Sequence, residues 1–343
     1  MAAAVRLAAR QTAVPDPAPG PGRGEPTELL APARDLACGR AAVDCGADAL
    51  YVGPPRFGAR AAVGNTLAEI AELTAYAHRW WVRVYAALNT LLTDAELPEA
   101  LRLAHELYRA GVDGLIVQDL GLLEGGLPPL PLIASTQMHN QTPERVAFLE
   151  LVGFRRVILA RELSLEEIAR IRAQAPTIEL ECFVHGALCV GYSGQCCLSY
   201  AIGGRSGNRG ECAQPCRRRY DLVDGAGKTL VQGQHLLSLR DLSLTDHLGE
   251  LLEVGVRSFK IEGRLKDEVY VRNVVSHYRR RLDAALAERG LTRSSSGASR
   301  DGFEPDPDRT FNRGYTTYFL HGRGDPPGRP ETPKVIGQPV GRV

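Results

Sequence analysis

Cys189, Cys196, Cys212 and Cys216 stand in the pattern C-x6-C-x15-C-x3-C, spread over glycine-rich stretches. Four thiolates on such loops can converge on one soft metal centre, because glycine lets backbone and sulfur wrap closely. Structural zinc uses tight C-x2-C knuckles, and neither pair here has that spacing. A [4Fe–4S] cluster also takes four thiolates and accepts wider spacing, so the pattern mildly favours iron–sulfur and leaves zinc open. Cys197 is the alternative to Cys196 by adjacency, although neighbours on an extended chain point opposite ways. Cys182 falls in an apolar run and reads as a small buried hydrophobe. A second chemistry is nucleophilic. His185 and Cys189 are close enough in sequence for a thiolate–imidazole pair, but no orienting residue is identifiable and no HExxH or GxSxG motif occurs. Disulfides are not expected. The first 26 residues lack a secretory apolar core and read as a disordered tail, which makes a cytoplasmic, thiol-reducing location the default.

The elements that must position these residues repeat one grammar. "GADALYVG" (46–53), "GVDGLIVQD" (111–119), "GFRRVILA" (153–160) and "GVRSFKIEG" (255–263) each place a glycine before a short apolar run. Glycine supplies a left-handed helix end, and the run that follows is a strand. With "ELLAPA" (28–33), "VRVYAALN" (82–89), "PLIAS" (131–135) and "IELECFV" (178–184), eight strand candidates alternate with helical patterns at 66–78, 94–110 and 164–175. Strands apolar on both faces and covered by helices predict an α/β fold, a (β/α)8 TIM-like barrel over 27–290. An open doubly wound sheet is second choice, since no GxGxxG follows the first strand.

The spacing breaks once, between strands 7 and 8, where a cysteine-rich insertion spans 185–255 and ends in a predicted helix over 239–255. A helix at 267–290 closes the barrel, 291–308 reads as a linker, and 309–343 as the start of a small β-module. In such a barrel the insertion sits on the C-terminal face, together with the polar strand ends. These are Asn89, Gln118, Asp119, Thr136, Gln137, Met138, Arg161, Glu162, Lys260, Glu262 and Arg264. Pairs such as Arg161–Glu162 or Glu262–Arg264 can equally stabilise loops, so the pattern locates a site without naming a reaction.

The chain has 343 residues, 44% of them hydrophobic, and a net charge of +1, so affinity for an anion must come from local patches. No stretch is apolar enough to span a membrane. Arg205, Arg209 and Arg217 to Arg219 in the insertion, with Arg279 to Arg281 on the closing helix, are such patches. Composition alone slightly favours solvated faces, while placement beside the cysteines points to phosphate, and so to RNA.

"ELECFVHGALCVGYSGQCCLS" (179–199) is very similar to the signature of the collagenase-like peptidase family U32. The likeness continues through "GGRSGNRGECAQPCR", "SFKIEGRLK", "ASTQMHNQTP" and "VILARELSLEEI", covering about Glu28 to Arg281. The run "STQM…SGNRGECAQPCR" looks most like the branch that hydroxylates large-subunit rRNA cytidine. The resemblance implies an oxygen-independent RNA hydroxylase, acting on rRNA or tRNA pyrimidines, with a [4Fe–4S] cluster on Cys189, Cys196, Cys212 and Cys216. Prephenate, associated with the tRNA branch, is the implied oxygen donor, and a protein electron donor or partner subunit is a further implied partner. His185, Lys260 and Glu262 are the candidates for proton transfer. Asn89, Gln137, Arg161, Arg205, Arg209, Arg217 and Arg264 are those for holding substrate. The alternatives are a collagenase-like peptidase and a cluster-bearing subunit of a hydroxylating pair, such as that of ubiquinone biosynthesis.

Overall fold

The computed structural model describes residues 26–296, 299 and 302–336. Apart from Pro26, the stretch read as a disordered tail lies outside them. Seven strands follow one another around the sheet, each parallel to the last. They are β1 (Pro26–Ala33), β2 (Ala49–Val52), β3 (Arg83–Leu88), β4 (Gly114–Val117), β5 (Leu132–Ala134), β6 (Arg156–Ile158) and β7 (Glu179–Gly186). The chain then leaves the barrel. β8 (Tyr220–Val223) and β9 (Thr229–Gln234) form a separate hairpin, and β10 (Asp241–Ser243) lies antiparallel on the end of β7. It returns as β11 (Val256–Ile261), parallel to both β7 and β1, which closes the predicted (β/α)8 barrel.

The helices are α1 (Leu36–Asp44), α2 (Leu67–His78), α3 (Leu97–Arg109), α4 (Pro143–Leu151), α5 (Leu165–Gln174), α6 (Leu198–Gly203), α7 (Leu248–Glu253) and α8 (Glu268–Arg289). Capping boxes start two of them where the sequence puts them, Thr66 with Glu69 and Ser164 with Glu167. Gly46, Gly111, Gly153 and Gly255 all have φ between 87° and 97°, which turns each helix end back toward the next strand. β2, β4, β5 and β6 are buried along their whole length, as strands covered on both faces are. No described helix is long and apolar enough to cross a membrane.

Three expectations change. The helix over 239–255 shrinks to α7, and its first part becomes β10. Asp241 explains this: its carboxylate accepts the backbone N–H of Arg313 at 3.0 Å and the guanidinium at 2.8 Å, while β10 pairs with β13 (Tyr315–Thr316). In 291–308, the start is packed and not free. β12 (Thr292–Arg293) pairs with β1, and Arg293 and Ser295 bond the Asp48 carboxylate at 2.9 and 2.6 Å. Burial alone would raise Asp48, but Arg279 and Arg293 hold it below the ordinary carboxylate range. Arg279 is therefore a core ion pair and offers no phosphate contact. Finally, the described part of 309–343 forms an arm lying on the barrel. β13 sits on β10, the Leu320 carbonyl accepts the Leu165 N–H at 3.0 Å, and the Pro330 carbonyl accepts the His235 N–H at 2.9 Å.

Candidate active site

The carboxyl ends of the barrel strands and the underside of the insertion enclose a cavity of about 420 Å³. Specific bonds seat the insertion over it. Glu162 accepts the Ser193 hydroxyl at 2.9 Å and the Ser193 N–H, and the His139 ring bonds the Ser193 carbonyl at 3.0 Å. At Gly194 (φ 73°) a Cβ would stand 1.9 Å from the Gln137 carbonyl oxygen, so the loop can cross here only as glycine. Arg217 donates to the carbonyls of Leu188 and Leu239 at 2.8 and 2.7 Å and to Ser238 Oγ. Arg209 pairs with Glu96 at 2.6 Å and bonds the Leu91 carbonyl. Both arginines, expected to bind substrate, spend their donors fastening the insertion. Arg205 remains exposed on the cavity rim, its Nε on the Glu211 carbonyl.

Cys189, Cys196, Cys212 and Cys216 all line this cavity. Cys197 does not: it stands at the N-cap of α6, while Cys196 packs against Gly191, where a Cβ would come within 3.4 Å of its sulfur. Cys182 is buried on β7, and burial pushes its thiol up. Burial also pushes up the Cys216 thiol, with charge on Cys189, Cys212 and Cys196 adding to the effect and Arg217 opposing it. Lining one cavity, the four sulfurs could serve as ligands to a single soft metal centre.

Facing the cysteines is a wall of cations. Arg161 bonds Glu262 at 2.7 Å and lies 3.6 Å over the Phe183 ring, and Arg60 approaches Glu262 at 3.5 Å. Burial would raise Glu262, but Arg60, Arg161 and Arg264 hold it below its ordinary range, which makes it an anchored carboxylate. Lys260 is buried on the Tyr51 ring at 4.3 Å and bonds Glu181 at 2.8 Å, and burial lowers its pKa despite that partner. Arg264 is lowered to about 10 by burial and by Arg60, and its buried Nη1 has no protein partner among the described residues. Four cations, Arg60, Arg161, Lys260 and Arg264, thus surround Glu262. Asn89 is fixed by the Ala59 N–H and Ser135 Oγ, and Gln137 reaches the Gly207 carbonyl at 3.5 Å. Sequence reasoning missed Arg60, although it follows β2 at the same barrel mouth.

His185 is not in this group. Its ring lies between those of Tyr270, Tyr278 and Tyr315, 5.3 to 6.0 Å between centroids, and no hydrogen bond links it to Cys189 among the described residues. Burial lowers its pKa from 6.5 to about 3, so it is a neutral core histidine. Because the folded value lies below the ordinary one, the unfolded chain binds the extra proton. The stability gained is complete above pH 6.5 and is lost as pH falls toward about 3. His185→Phe is expected to flatten the urea stability profile across that window by up to about 1.4 kcal/mol per pH unit. A profile parallel to that of the unsubstituted protein would contradict it.

A closed (β/α)8 barrel with its polar groups and cysteines gathered at the C-terminal mouth has the architecture of a barrel enzyme. The chain belongs to peptidase family U32, whose profile matches residues 34–329. It is 51% identical over 317 residues to the 23S rRNA 5-hydroxycytidine C2501 synthase of Escherichia coli (strain K12), a match covering 92% of this chain and 48% of that protein. It is 37% identical to tRNA hydroxylation protein P1 of Bacillus subtilis (strain 168), over 76% of this chain and 64% of the relative. A collagenase of Porphyromonas gingivalis (strain ATCC BAA-308 / W83) is 29% identical over 75% of this chain and 66% of its own length. The chain spans about half the length of the Escherichia coli relative.

Proposed function

We propose that the chain carries the barrel of a cytoplasmic, oxygen-independent RNA hydroxylase acting on a cytidine of rRNA. The observation that carries this reading is the meeting of four cysteines and a cationic wall in one barrel mouth, in a chain half identical to an rRNA hydroxycytidine synthase. Cys189, Cys196, Cys212 and Cys216 would hold a [4Fe–4S] cluster, as four cysteines gathered in one cavity allow. When bound, the cluster would supply a one-electron redox centre.

The remaining work belongs to the chain's own residues. Arg264, with a free buried Nη1, and the Arg60–Arg161 pair fit the carboxylates of a small anionic oxygen donor such as prephenate. Lys260, its pKa lowered by burial, can move a proton at its Nζ more readily than Glu262, which three arginines keep ionised. The base must be splayed out of its strand to reach this depth. Asn89 and Gln137 offer amides to its edge, and Tyr192 and Arg205 stand at the rim to stack on it and hold its phosphate. A peptidase would need a base beside Cys189, and His185 is enclosed among tyrosines instead.

The test is nucleoside mass spectrometry of rRNA and tRNA from a deletion strain, with and without the gene restored. Loss of one hydroxylated pyrimidine and its return on complementation are expected. An unchanged nucleoside profile would sink the proposal, and gelatin cleavage by pure protein would favour the peptidase.

A further inference from the structure

We propose that His247, Glu250 and His321 form a site for a divalent ion of the zinc type, and that the ion clamps the C-terminal arm onto the barrel beside the cysteine mouth. The site lies outside the cavity and does not rest on the RNA reading. His247 is the N-cap of α7 and Glu250 lies in its first turn, so the two share one side of the helix start. His321 comes from the arm, 74 residues after His247.

The three side chains bring one imidazole nitrogen each and a carboxylate within 4.8 Å of one another. His247 Nδ1 lies 2.6 Å from Glu250 Oε1 and 3.4 Å from His321 Nε2, and His321 Nε2 lies 3.8 Å from Glu250 Oε2. With no ion, a protonated His247 Nδ1 donates to Glu250 at 2.6 Å, and His321 Nε2 is left with only its longer 3.8 Å approach to the same carboxylate. An ion taking the place of that proton would be held by both nitrogens and the carboxylate. The 3.4 Å between the two nitrogens matches the about 3.3 Å set by zinc–nitrogen bonds of about 2.05 Å at a tetrahedral angle, and the 2.6 Å His247–Glu250 hydrogen bond would open to a similar length around the ion. Two imidazoles and one carboxylate are a borderline donor set suited to zinc or cobalt, with a fourth position left for water.

The consequence lies in the arm. Leu320, next to His321, is buried, and its carbonyl accepts the Leu165 N–H at 3.0 Å. An ion at His321 would hold that stretch against α7.

The experiment titrates Co²⁺ into the full chain and follows its visible spectrum, with Zn²⁺ as competitor. Ligation by imidazole and carboxylate gives weak d–d bands without the intense thiolate charge transfer that cysteine ligation adds, so the two kinds of site are distinguished in one sample. At least a tenfold loss of the d–d-only affinity is expected in His321→Ala and in Glu250→Gln, with no change in His105→Ala. Zn²⁺ should also slow proteolysis within the arm severalfold in the unsubstituted chain but not in His321→Ala. Both substituted side chains are substantially exposed, so the variants should fold. Cobalt binding that shows only the thiolate signature, or that is unaffected by His321→Ala, would overturn the proposal.

Discussion

Serine at any one of Cys189, Cys196, Cys212 or Cys216 is expected to abolish the visible absorbance of anaerobically reconstituted protein and to cut RNA hydroxylation by about 100-fold or more. Changes one shell away from a metal already cost about 10- to 100-fold, and removing a ligand should cost at least that. A hydroxyl remains protonated where a thiol ionises, so serine keeps the shape and loses the charge that the centre requires. The neighbouring pair makes the sharpest comparison. Cys196 lines the cavity, while Cys197 is the N-cap residue of α6 and lies outside the cavity lining. Serine is a strong N-cap, so Cys197→Ser should load normally and be at least as stable as the unsubstituted chain. Equal loss in the two variants, or loss only at 197, would reject this assignment of ligands.

The contrast between those cysteines also marks where sequence reasoning stops. The barrel was readable because glycine marks the helix ends and the strands behind are short apolar runs, and both signals are local. The gathering of Cys189, Cys196, Cys212 and Cys216 in one cavity was readable from their glycine-rich clustering. Which of Cys196 and Cys197 turns inward depends on how α6 begins, and adjacency cannot show that. The helix expected over 239–255 has apolar residues at helical spacing, yet Asp241 is claimed by Arg313, 72 residues later. The roles of the arginines were equally hidden. Arg209, Arg217 and Arg279 look like phosphate ligands in a list of residues, and each is committed to a partner far away in sequence. His185 stands four residues before Cys189 in sequence but belongs to a tyrosine cluster, because the arm and β10 close over it. Charge and ring contacts made across the barrel carry no local sequence signal.

Glu181→Ala is expected to cost roughly 3–5 kcal/mol of folding stability, the range found when one member of a buried ion pair is removed. Glu181 is fully buried, bonding Lys260 at 2.8 Å, Arg156 at 3.2 Å and Ser258 at 3.1 Å. Arg156 keeps Glu28 and Glu179 when Glu181 goes, so its charge stays paired. Lys260 keeps the faces of Tyr51 and Phe183 and the more distant charge of Glu262, but no hydrogen-bonded counter-ion. Against the typical total of about 5–15 kcal/mol, such a loss takes a large share of what holds a domain folded. Urea denaturation of the full chain measures it, and a loss below about 1 kcal/mol would contradict the argument. The double variant Glu181→Leu with Lys260→Met should regain most of the stability, since a buried pair replaced by apolar groups of similar volume is often neutral. That variant also separates two roles of Lys260. If the lysine only balances Glu181, the refolded double variant should hydroxylate RNA normally. If it moves a proton in the cavity, the double variant should be stable and inactive, and inactivity is the expected result.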